Sequence, residues 1–107
     1  MSVIEATSSE QFKELLSKNA KVAVFFTAKW ASPCKKIGPV FTTLSNKYGS
    51  VVCVSVDVDT LSGVAEEQGV SAVPAFKFFH DDTEALTALE SDKESQLQEK
   101  LEALNGL

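Results

Sequence analysis

Cys34 stands where an apolar run gives way to a helical pattern, in Ala28-Lys29-Trp30-Ala31-Ser32-Pro33-Cys34-Lys35-Lys36. The preceding Val22-Ala23-Val24-Phe25-Phe26 is short, β-branched and aromatic, as suits a strand buried on both faces of a parallel sheet. Ser32 and Pro33 are expected to supply a cap and a first-turn residue for the helix. Backbone N–H groups and the positive end of a helix dipole would then surround positions 31 to 34, an environment that stabilises a thiolate. Two outcomes stay open for Cys34. The dipole would acidify the thiol and let it attack an oxidised partner, whereas burial would raise its pKa and leave a small core residue. Lys29, Lys35 and Lys36 add positive potential beside the turn and favour an anionic thiolate or ligand, although a solvated helix face accounts for them nearly as well. Cys53 lies among valines and reads as a buried hydrophobe. His80 is the only histidine and reads as a surface turn residue; no Cys/His cluster offers a metal site and no Gly-rich loop a nucleotide site.

Trp30-Ala31-Ser32-Pro33-Cys34-Lys35 resembles the thioredoxin active site Trp-Cys-x-Pro-Cys-Lys, with Ala31 in place of the first cysteine. In that family the first cysteine is the exposed nucleophile and the second, more buried one resolves the mixed disulfide. The resemblance therefore leaves Cys34 as the only active-site thiol, the candidate catalytic residue, and a disulfide formed at it would need a second thiolate from glutathione or a partner. Two further departures accompany Ala31. The buried Asp that the family carries five residues before the Trp is Phe25, and the Gly usual in its last strand is absent from Glu84-Ala85-Leu86-Thr87-Ala88-Leu89. An engineered Cys-to-Ala change would leave those positions alone. The combination is similar to the thioredoxin-like N-terminal domains of multidomain monothiol glutaredoxins, as are Ser2-Val3-Ile4-Glu5 and Val70-Ser71-Ala72-Val73-Pro74.

The resemblance also makes Val73-Pro74 the cis-proline segment that lies against the active-site turn. Trp30, Ala31, Val73 and Ala75 would then form a shallow apolar groove, and Trp30, Ala31, Ser32, Pro33, Val73 and Pro74 are the expected substrate-binding residues, pairing with an extended peptide as an added strand.

Positioning these residues requires one α/β domain. At 107 residues the chain fits a single domain over residues 1–107, which at this size buries roughly 65% of its unfolded surface. Ten basic against fifteen acidic residues give a net charge of −5, which disfavours a nucleic-acid surface. Met1 to Ser9 lacks the basic and apolar runs of a signal peptide, and no stretch reaches the ~20 apolar residues that span a bilayer. A cytoplasmic and also nuclear setting follows as an expectation, with two free thiols as the default over a Cys34–Cys53 disulfide.

Val3-Ile4-Glu5-Ala6 is an edge-strand candidate, and Ser8 with Gln11 makes a capping-box pattern for a helix through Lys18. Lys21 to Thr27 is a central strand. Ile37, Val40, Phe41, Leu44 and Tyr48 recur at helical spacing, with Pro39 inside the helix and Gly49 as its stop. Val51-Val52-Cys53-Val54-Ser55-Val56 is a second central strand, and a helix from Leu61 to Gln68 closes at Gly69. Pro74 to Phe79 and Ala85 to Leu89 flank the turn His80-Asp81-Asp82-Thr83-Glu84 as a hairpin, and Asp92 caps a last helix with a Leu97, Leu101, Leu104 stripe. The order βαβαβαββα predicts a central mixed sheet flanked by helices, the thioredoxin fold.

The functional expectation is a thioredoxin-like domain of redox and iron–sulfur-linked regulation. It would act mainly as a protein-binding module, because Ala31 occupies the nucleophile position. The alternative is a thiol-disulfide oxidoreductase working through Cys34 as a monothiol, or an engineered variant of one. No resident cofactor is expected, with glutathione as an external thiol. The expected partners are proteins with extended segments and, in a longer native chain, a glutaredoxin domain; nucleic acid and membrane are not expected.

Overall fold

The computed structural model describes residues 3–107. Met1 and Ser2, and with them the first residue of the Ser2-Val3-Ile4-Glu5 match, lie outside the described residues. The elements in order are β1 (Ile4–Glu5), α1 (Ser9–Lys18), β2 (Lys21–Thr27), α2 (Ser32–Lys47), β3 (Val52–Asp57), α3 (Ser62–Glu67), β4 (Ala75–His80), β5 (Thr83–Glu84) and α4 (Glu94–Asn105). They form a five-stranded mixed sheet of order β1-β3-β2-β4-β5, with β1, β3 and β2 parallel and β4 and β5 antiparallel to their neighbours.

Val22 to Phe26 are all buried, because β2 is central and both its faces are covered. Residues in register across the strands share a face. Val22, Val24, Phe26, Val54 and Val56 point toward α1 and α3, where Phe12, Leu16 and Val64 meet them. Ala23, Phe25, Cys53, Phe76 and Phe78 point the other way, toward Ile37, Phe41 and Leu44 of α2 and Leu97, Leu101 and Leu104 of α4. The leucine stripe expected in the last helix is thus fully inside. Phe25 stacks on Phe76 with ring centroids 4.8 Å apart and 12° between planes, and tilts against Phe41 at 5.5 Å.

Several boundaries differ from expectation, each for a local reason. Ser8 Oγ does accept the Gln11 N–H at 3.0 Å, but the Gln11 side chain reaches back to Thr7 rather than to Ser8. Ala31, not Ser32, caps α2: its carbonyl accepts from Cys34 and Lys35, and Ser32 is already helical. α2 ends at Lys47, with Tyr48 as its C-cap returning its N–H to Leu44, so Gly49 follows the end without a left-handed backbone; Gly69, at φ 69°, is the left-handed cap expected after α3. Asp92 does not cap α4. Its carboxylate meets Lys36 at 3.4 Å, while Lys93 takes the cap position and its N–H is accepted by Ser91 Oγ.

The hairpin turn is also tighter than the sequence suggests. Asp81 and Asp82, both with positive φ (51° and 64°), make a two-residue turn, so β5 begins at Thr83. The Ala85 N–H still reaches the Phe78 carbonyl at 2.9 Å, and residues 86–88 then leave the ladder. Phe79 pairs with Glu84 and Phe76 with Leu89, so five steps on the outer segment oppose three on β4, and two extra residues must bulge.

Candidate functional site

The turn between β2 and α2 places its residues at two different depths. Trp30 is 70% exposed, whereas Ala31 at 5% and Cys34 at 4% are buried. Ser32 and Pro33 are exposed on the first helical turn. Cys34 belongs to the apolar cluster under α2 and α4, and its N–H is held by the Ala31 carbonyl at 3.0 Å. Both cysteines are free thiols.

The Val73–Pro74 peptide bond is cis, as the resemblance implies; Pro74 is buried and Val73 half-buried. Trp30 and Val73 line one hollow of about 110 Å³, together with Val58, Val70, Ser71 and Ala72. Ala31 and Ala75, expected in this groove, do not line it: both are buried, Ala31 against the core under α2 and Ala75 on the opposite face of the sheet. The Trp30 indole N–H donates to Asp59 Oδ2 at 2.8 Å, which fixes an exposed ring at the groove rim. Asp57 Oδ1 in turn accepts the N–H groups of Asp59 and Thr60 at 2.9 and 3.1 Å, so one carboxylate shapes the turn that presents the other.

Cys34 opens onto a different cavity, of about 300 Å³, whose walls include Glu5, Asp57, Lys29, Lys35 and Ser55. Parallel pairing builds this wall. Glu5 and Phe25 both register with Ser55, and Thr27 registers with Asp57, so the sheet face that is apolar at Cys53 and Phe25 becomes polar toward its carboxyl ends. Of the three lysines, Lys29 and Lys35 line the cavity, while Lys36 is engaged by Asp92. Sequence reasoning missed Glu5, Asp57 and Asp59. The available signal was polar residues at the carboxyl ends of parallel strands, where open α/β sheets bind ligands.

Cys53 sits in the apolar rows below, 3% exposed, and burial pushes its thiol up to about 12. It is not a thiolate at neutral pH. His80 ends β4 rather than lying in the turn, with Nε2 3.8 Å from Asp81 Oδ2. Among the described residues no group of three or more His, Cys, Asp or Glu is placed to hold a metal ion, and no helix is long and apolar enough to cross a membrane.

Known proteins share this fold. Residues 3–103 match the family described as Thioredoxin. The chain is 40% identical to a thioredoxin H-type of Chlamydomonas reinhardtii over 96% of its own length and 91% of the relative's. It is 35% identical to thioredoxin-1 of Schizosaccharomyces pombe over 94% and 97%. The solved thioredoxin of Plasmodium falciparum superposes with a TM-score of 0.91 at 33% identity, covering 94% of this chain and 98% of that one. These relatives carry the name thioredoxin; none of them ties the chain to the monothiol glutaredoxins.

Proposed function

This chain belongs to the thioredoxin family and is a thioredoxin-like redox protein; from that premise we propose that it works chiefly by recognising extended protein segments and lacks a dithiol cycle of its own. The observation that carries this reading is the split in depth at the turn. The groove at Trp30 and Val73 is open, but the only thiol nearby, Cys34, is 4% exposed and lines none of it. Ala31 stands where the family's attacking cysteine would, and it offers no nucleophile. A peptide docking along Val73 would find backbone to pair with and an apolar rim to cover, and no sulfur to exchange with.

Phe25 supports the same reading. Where the family's buried Asp would assist the resolving thiol, an aromatic ring is stacked against Phe76 and Phe41, leaving no proton carrier at that position. The narrower kinship with the thioredoxin-like domains of monothiol glutaredoxins rests on Trp30-Ala31 with Cys34 and on Phe25. An iron–sulfur-linked role, a glutaredoxin partner domain and a cytoplasmic and nuclear setting belong to the proposal on that ground alone.

The test is insulin-disulfide reduction, driven by dithiothreitol and separately by glutathione, for this chain beside Ala31→Cys. Silence from the chain with turnover by Ala31→Cys is the expected result. Turnover by the unmodified chain overturns the recognition reading and makes Cys34 a working monothiol. That second reading has one observation in its favour, the cavity onto which Cys34 opens.

A further inference from the structure

Asn105 closes α4 and is tied to two distant segments. Lys21 Nζ, at the start of β2, donates to its main-chain carbonyl at 2.6 Å, and the Ser50 hydroxyl, in the turn before β3, donates to its side-chain Oδ1. The next residue, Gly106, returns its N–H to the Glu102 carbonyl at 3.2 Å. The last turn of the helix that lays Leu97, Leu101 and Leu104 on the sheet is thus clasped from outside. The other two asparagines, Asn19 and Asn46, donate their side-chain amides one turn back, to the Leu15 and Thr42 carbonyls, and neither precedes a glycine.

We propose that Asn105-Gly106 is a latent deamidation site, which the Lys21 and Ser50 clasp holds closed and fraying of the last turn of α4 opens. Asparagine is among the thermolabile residues, and a following glycine leaves the next backbone nitrogen unshielded by any Cβ. Gly106 is exposed and Asn105 half-buried, so water reaches both. Reaction requires the Gly106 nitrogen to meet Asn105 Cγ. In the closed turn that nitrogen is engaged by Glu102, and Cγ is held through Oδ1 by Ser50. The main chain at Asn105 must first leave the helix, giving up the Glu102 bond and both clasp bonds, which is a local opening of the fold.

The step is an intramolecular acyl transfer followed by hydrolysis. The Gly106 nitrogen loses its proton and bonds to Asn105 Cγ, the Cγ–Nδ2 bond breaks, and the departing nitrogen leaves with that proton as ammonia. Water then opens the five-membered imide. Cleavage of the new bond yields aspartate, whereas cleavage of the old peptide bond yields isoaspartate, with the main chain routed through the side chain. Nothing is oxidised or reduced. Either product places a carboxylate at the C-terminal end of α4, where the helix dipole disfavours it. In aspartate the new charge faces Ser50; in isoaspartate the former main-chain carbonyl, facing Lys21, becomes the carboxylate.

The test follows amide loss in the full chain and in Ser50→Ala, Lys21→Met and Gly106→Ala at neutral pH, by intact mass and by peptide mapping that separates aspartate from isoaspartate. Conversion confined to Asn105 is expected, at least about tenfold slower in the folded parent than in the parent unfolded by urea. Ser50→Ala, at an exposed side chain, and Lys21→Met should each speed it about three- to tenfold, as the loss of one hydrogen bond allows. Gly106→Ala should suppress conversion and leave the fold intact, because a Cβ there lies 3.6 Å from the Glu102 carbonyl oxygen and 3.7 Å from that of Ala103, ordinary contacts. Hydrogen exchange separates local from global opening: the Gly106 amide should exchange faster in Ser50→Ala and Lys21→Met, with the β2 amides unchanged. Equal rates in folded and unfolded chain, silence at Asn105 even in urea, conversion undiminished in Gly106→Ala, or no acceleration beyond that of the β2 amides in the clasp variants would overturn the proposal.

Discussion

Cys34 and Cys53 are almost equally buried, at 4% and 3%, and belong to one apolar cluster, yet their surroundings differ in kind. Cys53 is mid-strand, in register with Ala23 and surrounded by core side chains. Cys34 is at the start of α2, where the same sheet face has turned polar and opened. Equal fractional burial hides this difference, which lies in the residues that line the rest of each thiol's surroundings. Phe25 marks the border. It lies in the row between Ala23–Cys53 and Thr27–Asp57, so its ring closes the apolar rows against the polar ones.

Removing that border should have the largest effect. Phe25→Ala deletes a ring packed on Phe76 and Phe41 and is expected to cost about 3–5 kcal/mol in denaturant unfolding, with Cys53 labelled more readily by small thiol reagents. In the unaltered protein the contrast itself is measurable. Iodoacetamide should modify Cys34 about a hundredfold faster than Cys53, which becomes available only on unfolding; equal rates would erase the distinction.

The Cys53 thiol sharpens the comparison at high pH. The fold raises it from an ordinary 9.0 to about 12, so the folded state keeps a proton that the unfolded chain releases above 9. Its contribution to stability is complete below pH 9 and is lost as pH rises toward 12, at up to about 1.4 kcal/mol per pH unit. Cys53→Val should therefore differ little from the parent at pH 7 and lose stability less steeply above pH 9, as followed by urea titration at several pH values. The smallest effect is at the groove: Asp59→Asn weakens the pin on an indole that is 70% exposed and should shift thermal unfolding by about 0.5 kcal/mol or less.

Most of the fold was legible because its signals are local. Val22 to Phe26, the helical recurrence through Ile37, Phe41 and Leu44, and the Leu97, Leu101, Leu104 stripe each declare an element within a few residues, and all are buried as expected. Helix ends were read less well, because Ser32 and Asp92 look like caps while backbone geometry and the Lys36 ammonium decide their use. The hairpin end failed for a similar reason: Asp81 and Asp82 accept left-handed backbone, which residue type permits without demanding. The turn residues Trp30 to Cys34 were legible as one contiguous motif. Glu5 and Asp57 were not, being brought beside Cys34 by strand register between segments some 50 positions apart, as Glu5 opposite Ser55 shows.

Trp30 is the only tryptophan, and it stands on the rim of the hollow at Val73 with its ring already largely in water. The tryptophan emission of the whole protein thus comes from one point on one surface. Denaturation will shift its colour little, since the ring has little shelter to lose, while a ligand that covers the groove will move it to the blue. The molecule carries an optical gauge that is nearly blind to its folding and responsive to its occupancy.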